Sequence, residues 1–509
     1  MCGFLFYKSE SLSIDNESLY SCFDSFSWRG PDNSSVIEIE ERGVFLGHHR
    51  LSILDASELA NQPMLLSDKE SFILFNGEIY NHLELRAELG LQCKTMSDTE
   101  TLGEAYLLLG DEVFSRLNGM FSVFIYNKNS DDWVLARDAF GIKPLFFYSG
   151  PKGEAIASEA SAIAKIISAP YCEESIREWE VIRRPVPGFS FFEGVYEALP
   201  GQIIKSSGEK KIFWSWQDQE SSFNQQAFES LLLNSIRKHE LNDFSTVSLL
   251  SGGLDSAIIT SLAKTVKKSY TVGLINDNES VPAKITAKEI GASLKSFEFK
   301  PDEVKTAWRE LTKLKGEPIS VPNEALIYLV CQKMLPSEKV ILTGEGADEI
   351  LFGYDRLFRW GLTLNYLNYN EFMAQYGYSS NVRSNRLEGF FADLVFGKKA
   401  VDALEDFFLR VHLPGLLRRM DFASMAASKE ARVPFVEKHL IAYLYRKPAT
   451  IKIDSNVSKI PVRTLAGSLG IKNSLKVQKV GFSTKLTTNS SRLGDYEVFQ
   501  SVIKEALGW

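Results

Sequence analysis

Thr246-Val247-Ser248-Leu249-Leu250 leads directly into Ser251-Gly252-Gly253-Leu254-Asp255-Ser256, and a helical stretch opens near Ala257. The order is apolar strand, tight glycine turn, helix start. Adjacent glycines and small hydroxyl residues let backbone N–H groups close around phosphate oxygens at the positive end of a helix. No lysine follows the glycines, which excludes the GxxxxGK[ST] type of phosphate loop. Working outward, Tyr270 to Leu274, Ser296 to Phe299 and Val340-Ile341-Leu342-Thr343 are further short apolar runs separated by longer helical stretches. That alternation predicts an α/β doubly wound parallel sheet, with ligands at the carboxyl ends of its strands. From Glu371 onward the pattern reads as extra C-terminal helices packed beside the sheet.

A second loop, Gly344-Glu345-Gly346-Ala347-Asp348-Glu349, follows another of these strands. Its carboxylates should therefore sit on the same sheet edge as Asp255. Acids gathered among glycines are costly unless a cation compensates them. Asp255 and Asp348 suit Mg²⁺, which takes one or two carboxylates and completes its shell with water and phosphate oxygens. Glu345 is a candidate base.

Upstream, Val44 to Leu46, Phe72 to Phe75, Phe121 to Tyr126 and Trp133 to Ala136 are aromatic and branched runs bounded by Gly, Asn and Asp, so the first half reads as mostly β. Leu102 to Leu109 is helix-like and is entered by Ser97 with Glu100 three residues on, a capping-box spacing. A polar, turn-rich stretch from Pro200 to about Asn224 precedes helical spacing at Phe228, Leu231, Leu232 and Ile236. The expected domains are 1–207 and 208–509.

The 57 basic and 65 acidic residues give a net charge of −8 with no basic block, so nucleic acid and membrane surfaces are not expected partners. Five cysteines without CxxC spacing indicate neither a disulfide framework nor a cysteine zinc site, and point to a reducing, cytoplasmic setting. The longest apolar run, Ala325 to Cys331, falls far short of the roughly 20 residues that span a bilayer.

At the N-terminus, removal of the initiator would leave Cys2 with a thiol beside its own α-amine. That amine has an unperturbed pKa of about 8 and can act as the base. Arg29-Gly30-Pro31-Asp32, Gly47-His48-His49-Arg50-Leu51-Ser52-Ile53, Phe75-Asn76-Gly77-Glu78-Ile79-Tyr80-Asn81 and Ser97-Asp98-Thr99-Glu100 accompany it. With Met1-Cys2-Gly3 they resemble the glutaminase domain of class II, N-terminal-nucleophile amidotransferases, which implies an α+β, αββα sandwich. Arg50 then suits the α-carboxylate of glutamine, Glu78 and Asp98 its ammonium, and Asn76 with the Gly77 N–H the oxyanion of thiolate attack. His48 and His49 are consecutive strand residues that face opposite ways, so they cannot easily share a metal and read as structural.

The Ser251 loop resembles the pyrophosphate loop of ATP pyrophosphatases. A class II glutaminase followed by such a domain resembles the glutamine-hydrolysing asparagine synthetase family over nearly the whole chain. Arg137-Asp138-Ala139-Phe140-Gly141-Ile142-Lys143-Pro144-Leu145, Glu430-Ala431-Arg432-Val433-Pro434-Phe435 and Lys479-Val480-Gly481-Phe482 add to the likeness. The resemblance implies ATP contacts from Leu249, Ser251, Gly252, Gly253, Asp255, Ser256, Val272 and Gly344, with Mg²⁺ on Asp255 and Asp348. It further implies Cys2 as nucleophile and places Glu345 and Lys479 at the reacting acyl group. The implied reaction activates a carboxylate, aspartate first among candidates, as an acyl-adenylate that ammonia from glutamine then amidates, the ammonia passing through an internal tunnel. Phe422, where many relatives carry Arg, and Val436-Glu437, in place of Leu-Asp, depart from the pattern and bear on the acceptor. A specialised carboxamide synthetase acting on a sugar acid or a secondary-metabolite carboxylate is the alternative within the class, and a non-catalytic binding or regulatory descendant the alternative outside it. The sequence leaves a homodimer open.

Overall fold

The computed structural model describes residues 2–9, 15–216, 222–275, 280–379, 382–476 and 492–509. They form two compact units, Met1–Ile176 with Pro187–Ser215, and Arg177–Val186 with Trp216–Trp509. The first unit runs past the expected residue 207. Lys210–Ile212 forms a strand that pairs antiparallel with Gln202–Lys205, which ties the stretch after 207 to the sheet before it.

The first unit holds two six-stranded sheets. One runs in the order Tyr196–Glu197, Phe146–Gly150, Gly153–Ala157, Gly3–Lys8, Val44–Arg50, Asn33–Ile39. The other runs Lys210–Ile212, Gln202–Lys205, Asp132–Arg137, Gly119–Asn127, Ser71–Ile79, Met64–Leu65. Strand alternation sends Phe4, Phe6 and Leu46 from one sheet, and Leu74, Phe124 and Leu135 from the other, into a shared core. The opposite face of the second sheet buries Ile73, Phe75 and Val123 against Leu102 and Ala105 of the helix Asp98–Leu109. Helices Asn16–Asp24 and Ala160–Ile167 pack beyond the first sheet. This is the αββα sandwich. Ser97 caps Asp98–Leu109 through Thr99 N, but the expected reciprocal capping box does not form. Glu100 instead accepts from the backbone of Lys94 and Thr95, turning the preceding loop inward.

The second unit carries a five-stranded parallel sheet, in the order Leu294–Phe299, Ser269–Leu274, Thr246–Leu249, Val340–Leu342, Glu430–Arg432. The first strand in the chain lies at the centre, the next two build to one side and the last two to the other. The direction of winding reverses between Thr246–Leu249 and Val340–Leu342, and ligands bind outside the carboxyl ends of strands at such a switch point. Glu430–Arg432 lies in a region expected to be helical. It is a buried strand because Arg432 Nε pairs with Glu430 Oε1 at 2.6 Å and Arg432 Nη1 donates to the carbonyls of His239 and Leu241, so the charges are satisfied inside.

Candidate active sites

The strand Gly3–Lys8 presents Cys2 at its start. Its N–H donates to Asn76 Oδ1 at 3.1 Å and its carbonyl accepts from Arg29 Nε at 3.0 Å. Arg29, itself buried, is held by Glu159 at 2.6 Å. The amide oxygen of Asn76 is thus committed to Cys2, while its Nδ2 is buried and has no hydrogen-bond partner among the described residues. A donor kept dry and unused beside a thiol has the property required for a developing oxyanion. Gly77 follows on the strand Ser71–Ile79, where an added Cβ would lie 2.1 Å from the Met120 carbonyl oxygen, so no side chain fits.

Cys2, Arg50, Gly77, Glu78, Ser97 and Asp98 line one cavity. Asp98 Oδ2 accepts from Ile79 N at 2.9 Å, fixing the helix start against the strand that carries Asn76 and Gly77. Arg50 enters differently from expectation. Nη1 donates to Ser57 O at 2.9 Å and Asn61 Oδ1 at 2.8 Å, and Nη2 to the carbonyls of Leu54 and Asp55. All four terminal N–H bonds therefore go to the loop after the strand, and Arg50 shapes the cavity wall as well as lining it. Gln62 was not singled out by sequence. It is buried, its Nε2 donates to Thr99 Oγ1 at 3.2 Å, and its Oε1 accepts from Phe75 N at 2.6 Å. The two histidines face opposite ways. His48 Nε2 meets the Phe75 carbonyl and His49 stacks on Phe23 with centroids 3.8 Å apart. Burial pushes the His48 pKa down to about 3, which keeps the ring neutral.

In the second unit, Ser251 Oγ lies 3.1 Å from Ser256 Oγ and accepts from Gly253 N, so the loop closes on itself at the start of the helix Leu254–Leu262. Gly252 has φ +76° and its missing Cβ would lie 2.6 Å from Ala283 N. Leu249 ends the neighbouring strand and Val272 lies in the next one out, both buried. Gly344 packs flat on this helix start, since a Cβ there would meet Ser256 N at 2.8 Å. Asp255 and Asp348 do converge, but on a residue not foreseen. Lys459 Nζ lies 2.6 Å from Asp255 Oδ2 and 2.6 Å from Asp348 Oδ1. Two carboxylate oxygens aimed at one cation position fit a divalent ion whose remaining ligands are water and phosphate. Among the described residues no group of three or more His, Cys, Asp or Glu could hold a metal by itself.

Beside them, Glu345 Oε1 accepts from Arg419 Nη2 at 2.8 Å. Glu349 is buried and accepts from Tyr354 OH at 2.6 Å, and that hydroxyl also meets His412 Nε2 at 2.8 Å. The departures have local explanations. The Phe422 ring faces Lys315 Nζ at 4.9 Å, Val436 fills the space a side chain at Gly346 would need, and Glu437 caps the helix Lys438–Leu444. Lys479 lies outside the described residues.

An antiparallel sandwich presenting a thiol, with a glycine loop at the switch point of a parallel sheet, defines an enzyme of the amidotransferase–ligase class. The chain matches the glutamine amidotransferase domain over residues 1–217 and asparagine synthase over 227–500. It belongs to the asparagine synthase family, glutamine-hydrolysing branch. It is 32% identical over 386 residues to asparagine synthetase [glutamine-hydrolyzing] 1 of Bacillus subtilis, covering 72% of this chain and 60% of that protein's length. It is 28% identical over 535 residues to a putative asparagine synthetase [glutamine-hydrolyzing] of Mycobacterium tuberculosis, covering 89% and 82%. With asparagine synthetase B of Escherichia coli it shares 29% over 355 residues, covering 64% and 59%. A solved glutamine phosphoribosylpyrophosphate amidotransferase from B. subtilis matches at TM-score 0.33 and 15% identity, covering 68% of this chain and 81% of that one, a likeness too weak to inform the fold.

Proposed function

We propose that this protein is a glutamine- and ATP-dependent amide ligase that forms asparagine from aspartate, releasing AMP and pyrophosphate in the cytoplasm. The supporting observation is the convergence of Asp255 and Asp348 on one cation position beside the Ser251–Ser256 loop.

In the first unit the Cys2 sulfur attacks the glutamine carboxamide carbon, and the carbonyl electron pair moves onto oxygen. Asn76 Nδ2 and the Gly77 N–H donate to that oxyanion, each interaction being worth about 3–4 kcal/mol. Collapse breaks the C–N bond, ammonia leaves with a proton relayed by the Cys2 amine, and water hydrolyses the thioester to glutamate. Glu78 and Asp98 hold the glutamine ammonium. Arg50 holds the carboxylate through its loop and its remaining N–H.

In the second unit the backbone at Leu249, Val272 and Gly344 receives the adenosine, and Ser251, Gly252, Gly253 and Ser256 cradle the phosphates at the helix N-terminus. Asp255 and Asp348 would hold Mg²⁺, which supplies charge neutralisation on the phosphates. An acceptor carboxylate oxygen bonds to the α-phosphorus as the bond to pyrophosphate breaks. Ammonia then attacks the acyl carbon, AMP departs with the C–O electron pair, and Glu345 takes the surplus proton, with Lys479 at the acyl group.

The test is product analysis with an acceptor panel. AMP and pyrophosphate should form with Mg²⁺, and aspartate should stimulate AMP release more than glutamate, β-amino acids or uronic-acid sugar nucleotides. ADP and phosphate as products would overturn the adenylate. A strong response to a sugar acid with none to aspartate would replace the acceptor.

A further inference from the structure

Most of the large buried arginines are saturated. Arg137 donates to the carbonyls of Lys143, Ala198 and Gly141, Arg29 to Cys2 and Glu159, and Arg432 to Glu430, His239 and Leu241. Arg183 breaks this pattern. It is 5% exposed, yet among the described residues none of its Nε, Nη1 and Nη2 atoms has a hydrogen-bond partner. Its guanidinium carbon lies 4.4 Å from the ring centroid of Tyr378, 4.8 Å from that of Tyr496 and 5.5 Å from that of Trp179, all within the second unit.

A guanidinium cannot escape by losing its proton. Aromatic faces attract the cation through its flat side. They do not accept the N–H bonds, which radiate in the guanidinium plane toward its edge, so the cage compensates charge and leaves the donors unmet. Burying such donors without acceptors is unfavourable. The backbone adds a further cost, since Arg183 sits at φ +65°, a left-handed conformation that a side-chain-bearing residue adopts only when its surroundings force it. The surroundings do so here. Arg183 N donates to Trp179 O at 2.9 Å, Val181 O accepts from Tyr378 N at 3.0 Å, and Glu178 anchors the same segment through Val186 N at 2.9 Å and Arg386 Nε at 2.7 Å. The chain holds the side chain in the cage rather than letting it turn to water.

We propose that Arg183, flanked by Tyr378 and Tyr496, is a binding site for a small oxyanion, a phosphate or carboxylate group that lies in the guanidinium plane between the rings and takes the unmet N–H bonds in two-pronged fashion. The site is separate from the residues assigned to glutamine and ATP, and it does not depend on the amidation reading.

The experiment compares the full chain with Arg183→Leu by thermal unfolding in anion-poor buffer, then with inorganic phosphate, pyrophosphate or acetate, against chloride at equal ionic strength. Wild type should gain about 2–4 °C more than the variant from phosphate or pyrophosphate if the ligand is a phosphate, or from acetate if it is a carboxylate. In anion-poor buffer the variant should be at least as stable as wild type, because unmet buried donors have been replaced by an apolar group. Equal anion-induced shifts in both proteins would overturn the site, as the shared part of the response belongs to the Ser251 loop. A variant that unfolds or loses several degrees without added anion would also overturn it, since the cage would then be satisfied by the protein alone. Arg183→Lys, which keeps the charge and loses the fork, should retain a smaller anion shift.

Discussion

The two sites differ in what the chain supplies. Around Cys2 the parts are already set: the thiol strand, the Asn76 amide turned by Cys2 N, and a buried Nδ2 left open. Around Asp255 the carboxylates close on Lys459, an internal cation, and the Ser251–Ser256 loop satisfies its own hydroxyls. Amide cleavage by a thiol needs only neutral dipoles, which a fold can fix in advance. Two buried carboxylates close together are costly without a counter-charge, and here Lys459 supplies it.

The sharpest way to break this contrast is Cys2→Ala. Glutamine-dependent amidation should vanish while AMP formation with added ammonium salt persists, and loss of both would show the sites are not separable. Next in size, Asp255→Asn or Asp348→Asn should lower magnesium-dependent AMP formation about 10³-fold with glutaminase activity retained, measured as separate half-reactions. Asn76→Ala should reduce glutaminase kcat about 10²- to 10³-fold while ammonia-driven turnover stays normal. Lys459→Met leaves the two carboxylates facing each other. It should destabilise the second unit by about 2–3 kcal/mol in magnesium-free buffer and regain most of that with Mg²⁺, read by chemical denaturation. A variant indifferent to Mg²⁺ would show that Lys459 does not stand in for bound cations.

The smallest effect concerns acid. Burial holds His48 in the first unit, and His239 and His412 in the second, at pKa values of about 3, against 6.5 for an unperturbed ring. Below pH 6.5 the unfolded chain takes up protons that the folded chain refuses, so their contribution is complete above 6.5 and is lost as pH falls toward 3. Burial lowers His49 in the first unit as well, so both units should lose stability over that window, and His239→Gln should flatten the slope of the second.

The Ser251–Ser256 loop, the acidic loop and the Asn76-Gly77 pair were legible because their chemistry is local: glycines, small hydroxyls, an amide and acids within a few residues in or just after an apolar strand. Lys459 was not, since its partner Asp255 lies 204 positions away and an isolated lysine looks like any surface residue. Gln62 and the Arg29–Glu159 pair escaped for the same reason. Glu430–Arg432 was not foreseen as a strand because strand patterns are sought among apolar residues, whereas here the two charges neutralise each other inside the sheet. Arg50 was singled out by its residue type, but its bonding was not legible, because carbonyls of the loop several residues onward claim its terminal donors.

The position of Glu430–Arg432 also bears on how the protein is made. Its neighbour in the sheet, Val340–Leu342, leaves the ribosome long before it, with the helices from Ala347 to Met425 synthesised in between. Until Arg432 emerges, Val340–Leu342 has an unpaired, fully apolar edge, the kind of surface that pairs with other chains. A nascent chain stalled in that interval, or a product truncated within it, should accumulate as aggregate rather than as a half-active glutaminase, even though the whole Cys2 unit has already been synthesised.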